Sequence, residues 1–183
     1  MKRSIYLTLV LSLAAFAAMA QTYTVSNKTS KLEVFGTSTL HDWEIKAETV
    51  SGKADLTVDG TNVTINSLYF QLKGETLKSG KSSMDKNTYE ALKTDDHPWI
   101  KYQLKTAKAE GGKLSTTGTL TIAGASKQVQ MNVTPTVEGN KVSFKGKITF
   151  KMSDFKIDPP TALMGTIKTG DEVTISFDVQ YTK

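Results

Sequence analysis

The stretch KVSFKGKITFKM, Lys141 to Met152, decides the fold. Val142, Phe144, Ile148, Phe150 and Met152 fall on even positions, and Ser143, Lys145, Lys147, Thr149 and Lys151 on odd ones. Side chains alternate sides along a strand, so this segment has one apolar face and one lysine-rich wet face. Such a strand is a wall with an apolar interior behind it. Working outward, Val173, Ile175, Phe177, Val179 and Tyr181 repeat the pattern on the C-terminal side. Val129, Met131 and Val133 repeat it on the other, joined by the turn Glu138-Gly139-Asn140. Further upstream, Leu114, Thr116, Gly118, Leu120 and Ile122 share a face, and Ile100, Tyr102 and Leu104 alternate with Lys101, Gln103 and Lys105. Gly111-Gly112 and Gly124 mark the turns between these strands.

The N-terminal half is less regular. Leu32 and Val34 share a face from Ser30 to Ser38, while Phe35 breaks the alternation. Trp43, Ile45 and Ala47 alternate with Glu44, Lys46 and Glu48; the parity then switches to Val50, Ala54, Leu56 and Val58. One extra residue does this, which predicts a bulge between Glu48 and Gly52. Asp59-Gly60 signals a tight hairpin. Leu68, Phe70 and Leu72 oppose Val63 and Ile65 in parity, so a second bulge or two-sided burial is expected in that strand. Ser82-Ser83-Met84-Asp85 offers a capping box with Ser82 as cap, and Met84, Ala91 and Leu92 follow at helical spacing. A short helix over 83–93 is predicted, ended before Pro98. A helical turn is expected at 161–164 in the long connection after Asp154.

About eight amphipathic strands joined mostly by short turns pair antiparallel. The fold class is therefore all-β: an antiparallel eight-stranded lipocalin-like barrel with one short helical insertion, a β-sandwich being the alternative.

The chain of 183 residues carries a formal charge of +5 and no cysteine. Lys2 and Arg3, the apolar run Ile5 to Ala18 and the small-x-small site Ala18-Met19-Ala20 read as a secretory signal peptide over residues 1–20. Export to a bacterial periplasm or medium is expected, with residues 21–183 as one domain. The apolar run is shorter than the roughly 20 residues a spanning helix needs, so stable membrane insertion is not expected. Without Lys2 and Arg3 the charge falls to +3, and the lysines are interleaved with acids, so no nucleic-acid footprint is read. The triplets starting at Asn27, Asn62 and Asn132 match a glycosylation acceptor and are read as chance.

An enzyme is not expected. Ser38, His41 and Asp42 look like triad members, but adjacent residues on an extended chain point to opposite faces, and nothing orients the histidine. Asp95-Asp96-His97 reads as a solvated loop rather than a metal site. The inward positions say more. Gly118 and Gly146 fall where the pattern demands core residues. They either let the sheet curl or leave the interior open. In the second case Phe70, Tyr102, Leu104, Leu120, Phe144, Ile148, Phe150 and Phe177, with Val34 and Ile45, line a cavity for a long apolar molecule. Replacing Gly146 by Phe is then expected to fill that tunnel in a protein that stays folded. The competing reading is a solid-cored structural or interaction module.

The segments Ser38-Thr39-Leu40-His41-Asp42-Trp43 and His97-Pro98-Trp99-Ile100-Lys101-Tyr102 resemble the YceI family of exported lipid-binding proteins. Gly118 to Lys127 matches that family's G-x-L-T-I-x-G-x-x-K hairpin. Phe155-Lys156-Ile157 and Gly170-Asp171-Glu172-Val173 extend the resemblance, which covers nearly all of 22–182. The resemblance implies an extended lipocalin-like barrel holding a polyisoprenoid chain, such as a quinone or prenyl phosphate, and no other cofactor. On a carrier reading, His41, Asp42 and Trp43, at the end of the first strand, are expected to meet the head while the inward residues bind the tail. Better-known members are more basic after their histidine, where this chain has Asp42 and Glu44, which points to a neutral quinone, fatty acid or amide. A second copy of the chain is a candidate partner.

Overall fold

Val142 and Phe144 are buried, and Lys145, Lys147 and Lys151 are in water, as the alternation requires. The computed structural model describes residues 20–183, so the expected signal peptide lies outside the described residues, save Ala20. The strands are β1 (Gln21–Val25), β2 (Lys31–Ser38), β3 (Trp43–Ala47), β4 (Ser51–Asp59), β5 (Asn62–Lys73) and β6 (Leu77–Lys78). After helix α1 (Ser82–Leu92) come β7 (Trp99–Glu110), β8 (Lys113–Ile122), β9 (Ala125–Glu138), β10 (Lys141–Lys151), β11 (Thr161–Ala162) and β12 (Ile167–Thr182).

All pairings are antiparallel. Eight strands form a ring in the order β1-β4-β5-β7-β8-β9-β10-β12, and β12 returns to β1 through Thr24↔Thr182 and Val25↔Tyr181. The expected eight-membered architecture is therefore present, and it carries an extension. One edge of β12 is shared in series by β1 and β2. From β2 the sheet continues through β3 to β6, leaving the ring at one end.

That divergence corrects the expected bulge at 48–52. The parity switch marks a break between two strands with different neighbours: β3 pairs with β2 and β6, β4 with β1 and β5. The Asn27 side chain clamps the break, donating to the Glu48 carbonyl (3.2 Å) and accepting from the Val50 amide (2.7 Å). A genuine bulge lies in β5. The register passes from Asp55↔Ser67 to Leu56↔Ile65, skipping Asn66, so Val63, Ile65 and Leu68 all face inward despite their parities.

The helix begins with Lys81 at the N-cap, not Ser82. Asp85 does not close a capping box. Its carboxylate accepts the Ser79 amide (2.7 Å) and hydroxyl (2.6 Å), tying the preceding loop to the first turn. Burial pushes the Asp85 carboxyl up, but the two Ser79 bonds and nearby Lys78 outweigh it and hold the group below its usual 3.8. A carboxyl depressed on folding contributes stability that is complete above its unfolded value and lost as the pH falls through the folded one. The helix is therefore expected to loosen below about pH 3.8. Asp85→Asn should loosen it at neutral pH, read as faster amide exchange at Asn87–Ala91; unchanged exchange in the variant would refute this. Tyr89 secures the other side, its hydroxyl 3.0 Å from the Glu75 and Leu77 carbonyls and accepting from the Lys78 ammonium at 2.6 Å.

In the long connection, Met152, Phe155 and Ile157 are buried beneath the sheet, and Ser153 binds the Asp171 carboxylate through its amide and hydroxyl. Residues 161–164 do not form the expected helical turn. Thr161 and Ala162 pair with Lys168 and Ile167, making a small hairpin with its tip at 163–166.

Candidate functional site

The interior contains two adjoining chambers. The inner one, about 140 Å³, lies within the ring. Leu32, Phe70, Leu104, Leu120, Met131, Phe144, Ile148 and Phe177 are among its walls. The outer one, about 280 Å³, lies between the β2–β3 loop, helix α1 and the β11 hairpin. Val34, Leu77, Ile100, Ile122 and Ile175 line both and form the waist between them. The outer chamber alone is near the lower end of the roughly 300–1,000 Å³ range of small-molecule sites, and the inner one lengthens it.

The inward glycines neither leave room nor merely let the sheet bend. Each seats a side chain of a neighbouring strand. A Cβ on Gly118 would lie 2.4 Å from the Tyr102 ring, one on Gly146 would lie 2.8 Å from Phe177, and one on Gly36 would run into the Trp43 indole. This overturns the reading in which Gly146→Phe fills an empty tunnel, because Phe177 already occupies that place. In β2–β3 the seated Trp43 donates its indole N–H to the Thr37 carbonyl at 2.9 Å. Gly124, at φ +77, receives the His97 imidazole, so His97 packs on the β8–β9 turn.

Residues 23–181 match the model of the YceI-like domain. The chain belongs to the YceI-like family. Among solved structures, BcnA of Burkholderia cenocepacia is 20% identical, with 85% of this chain and 98% of that one covered and a TM-score of 0.70. A polyisoprenoid binding domain from Saccharophagus degradans implicated in plant cell wall breakdown is 13% identical, covering 87% and 97%, with a TM-score of 0.67. The Campylobacter jejuni YCEI protein is 21% identical, covering 76% and 84%, with a TM-score of 0.62. At these identities the likeness is one of fold. No curated protein sequence matches the chain.

The YceI-like fold distributes the expected site residues unevenly. Phe70, Tyr102, Leu104, Leu120, Phe144, Ile148 and Phe177 line the inner chamber; His41, Trp43, Ile45 and Phe150 line the outer; Val34 lines both. Asp42, Gly118 and Gly146 line neither. His41 faces the outer chamber with its Nδ1 2.6 Å from the Asp42 carbonyl, a contact that suits Nδ1–H as donor and leaves Nε2 free to accept. The Ser38 hydroxyl donates to the His41 carbonyl (2.7 Å) and accepts the Leu40 and His41 amides, so it organises the loop. Among the described residues, no group of three or more His, Asp and Glu comes together to hold a metal ion.

Sequence reasoning missed most of the outer chamber, including Met84, Asn87, Thr88 and Leu92 from α1 and Pro160 to Ala162 from the hairpin. The spacing of Met84, Ala91 and Leu92 marked an apolar helix face, but nothing local said what it would cover.

Within the inner chamber the Tyr102 hydroxyl is buried without a hydrogen-bond partner. Burial pushes its phenol pKa up, opposed by the neighbouring Thr116 hydroxyl, which donates its own proton to the Met131 carbonyl at 3.0 Å. An unpaired buried hydroxyl costs about 1–3 kcal/mol. Tyr102→Phe is therefore expected to stabilise the empty protein, by about 1 kcal/mol, as a higher urea midpoint with an unchanged slope. A lower midpoint would mean that the hydroxyl is satisfied in solution.

Proposed function

We propose that the protein is an exported, non-enzymatic carrier or store of a long apolar lipid, an isoprenoid such as a quinone or a similar chain. The observation that carries this reading is the pair of adjoining chambers whose waist and inner walls are almost wholly apolar. The family assignment and a polyisoprenoid binding domain among the structural neighbours support it. In this reading the tail occupies the inner chamber and the head rests in the outer one near His41, whose Nε2 accepts a hydrogen bond. Asp42 lies outside both chambers and Glu44 is paired with Lys46 at 3.1 Å, so neither sets the charge of the head, and Lys81 is the charged side chain on the outer wall.

Magnitudes set the chain length. Each buried methylene contributes about 0.8 kcal/mol, and association costs about 4–15 kcal/mol. At the low end of that cost a chain of about five carbons offsets it, and micromolar binding, about 8 kcal/mol net, needs roughly fifteen or more. The competing solid-cored module gains from the filled glycine seats and loses to the two chambers. The deciding experiment is solvent extraction of the purified protein followed by mass spectrometry, with titration of a prenyl quinone. Recovery of a co-purified lipid or saturable uptake is the expected result; neither one appearing would end the carrier reading.

A further inference from the structure

Among the described residues, four large apolar side chains stand in solvent: Phe35, Leu40, Leu163 and Met164. Phe35, 37% exposed, lies on the outer face of β2, whereas Leu40 (66%), Leu163 (73%) and Met164 (108%) protrude from two loops. These loops are tied together. The Thr39 amide donates to the Lys168 carbonyl (3.0 Å), and the Lys168 amide donates back to the Thr39 hydroxyl (3.1 Å). Both loops stand at one opening, since Leu40 and His41 on one side and Pro160, Thr161, Ala162 and Ile167 on the other line the outer chamber.

The tip is also held in an unfavourable backbone form. Leu163 and Met164 have φ of 49° and 53°, followed by Gly165 at 83°. Branched and bulky side chains rarely adopt this region, where Asn or Gly would sit with less strain. Two exposed apolar residues in such a turn bring no packing of their own, so what they offer is their greasy surface. The segments around the opening carry Lys81, Lys156 and Lys168 against Asp42, Asp154 and Asp158, all exposed, so their charges balance.

We propose that the tip Leu163-Met164, with Leu40, docks the mouth of the outer chamber onto the surface of a lipid bilayer. The tip dips its apolar side chains into the headgroup layer, and the balanced charges around it stay in water. The alternative occupant, a second copy of the chain, is disfavoured by size. Three side chains on two loops fall far short of the roughly 800 Å² per partner that a stable interface buries, whereas shallow, reversible bilayer contact needs only a few apolar side chains. Docking itself stands independently of the carrier reading. Its consequence for transfer rests on that reading: lipid would pass between bilayer and chamber without crossing water.

The test compares wild type with Leu163→Asn/Met164→Asn, both expressed from the full-length chain. Neither residue lines a chamber, and Asn suits the backbone, so the melting temperature is expected to hold or rise. Met164→Asn alone serves if the double variant misfolds. Flotation with vesicles of equal parts phosphatidylglycerol and phosphatidylethanolamine, free of quinone, is expected to show about tenfold less bound variant. Uptake of a prenyl quinone from detergent solution should be unchanged, and its rate of transfer from doped vesicles should fall by a similar factor. Equal flotation of the two proteins would overturn the proposal. So would a wild-type dimer that the substitutions convert to monomer, because a second copy would then cover the tip. Quinone-free flotation separates the two ideas: loss of all quinone uptake would end the carrier reading and leave docking measurable.

Discussion

Val34→Trp is expected to cost a long-chain lipid more than 100-fold in affinity while a short amphiphile that fits the outer chamber binds as before. Val34 lines both chambers and pairs with Ile175 on β12 and Ile45 on β3, so an indole there projects into the waist. Shutting the inner chamber denies the ligand about four methylenes of burial, about 3 kcal/mol, or two orders of magnitude in affinity. Tryptophan is well tolerated in strands, and Val34 is only partly buried, so the fold should survive, as far-ultraviolet circular dichroism would verify. Ile100→Trp, entering the waist from β7, gives an independent block. If isothermal titration showed long-chain affinity intact in both variants, the inner chamber would not be part of the site.

The second large effect concerns Gly118. A Cβ there falls within 2.4 Å of the Tyr102 ring, far inside contact distance. Gly118→Val is therefore expected to expel the ring from its seat, and the space available to it is the inner chamber. Overpacking of this kind costs about 1–3 kcal/mol, and the displaced ring should lower long-chain affinity as well. Tyr102→Ala vacates the seat, so the double variant should be more stable than the sum of the single changes allows, by about 1 kcal/mol or more in a double-mutant cycle. Additivity within about 0.5 kcal/mol would show that ring and glycine are not coupled.

These glycines also show where the sequence stopped being legible. Alternation from Leu114 to Ile122 and from Val173 to Tyr181 was plain, because strand periodicity is written into each segment by itself. That Gly118 and Gly146 interrupt an inward face was equally plain. Which ring lies over each was not, because a seat is defined by the partner strand and its register, properties of the assembled sheet. The break after Ala47 was misread as a bulge for the same reason. Both produce a parity switch, and only the divergent partners of β3 and β4 separate them. Asp85 and Ser82 had capping-box spacing, yet Ser79, outside the helix, offered the carboxylate two short donors and won. His41 and Trp43 were found at the outer chamber, whereas the 161–164 segment could be placed only once β12 provided the edge it pairs with.

The seam of the ring has a consequence in time. Thr24 and Thr182 meet across 158 positions of chain, and the residues between them form the rest of the sheet. Local hairpins such as β8–β9 can zip early, but loop-closure entropy delays contacts this remote in sequence. Until residue 182 is synthesised, β1 lacks its β12 partner and the ring stays open. Closing the ring therefore requires both ends of the chain at once, which makes its seam the most remote contact that folding has to form.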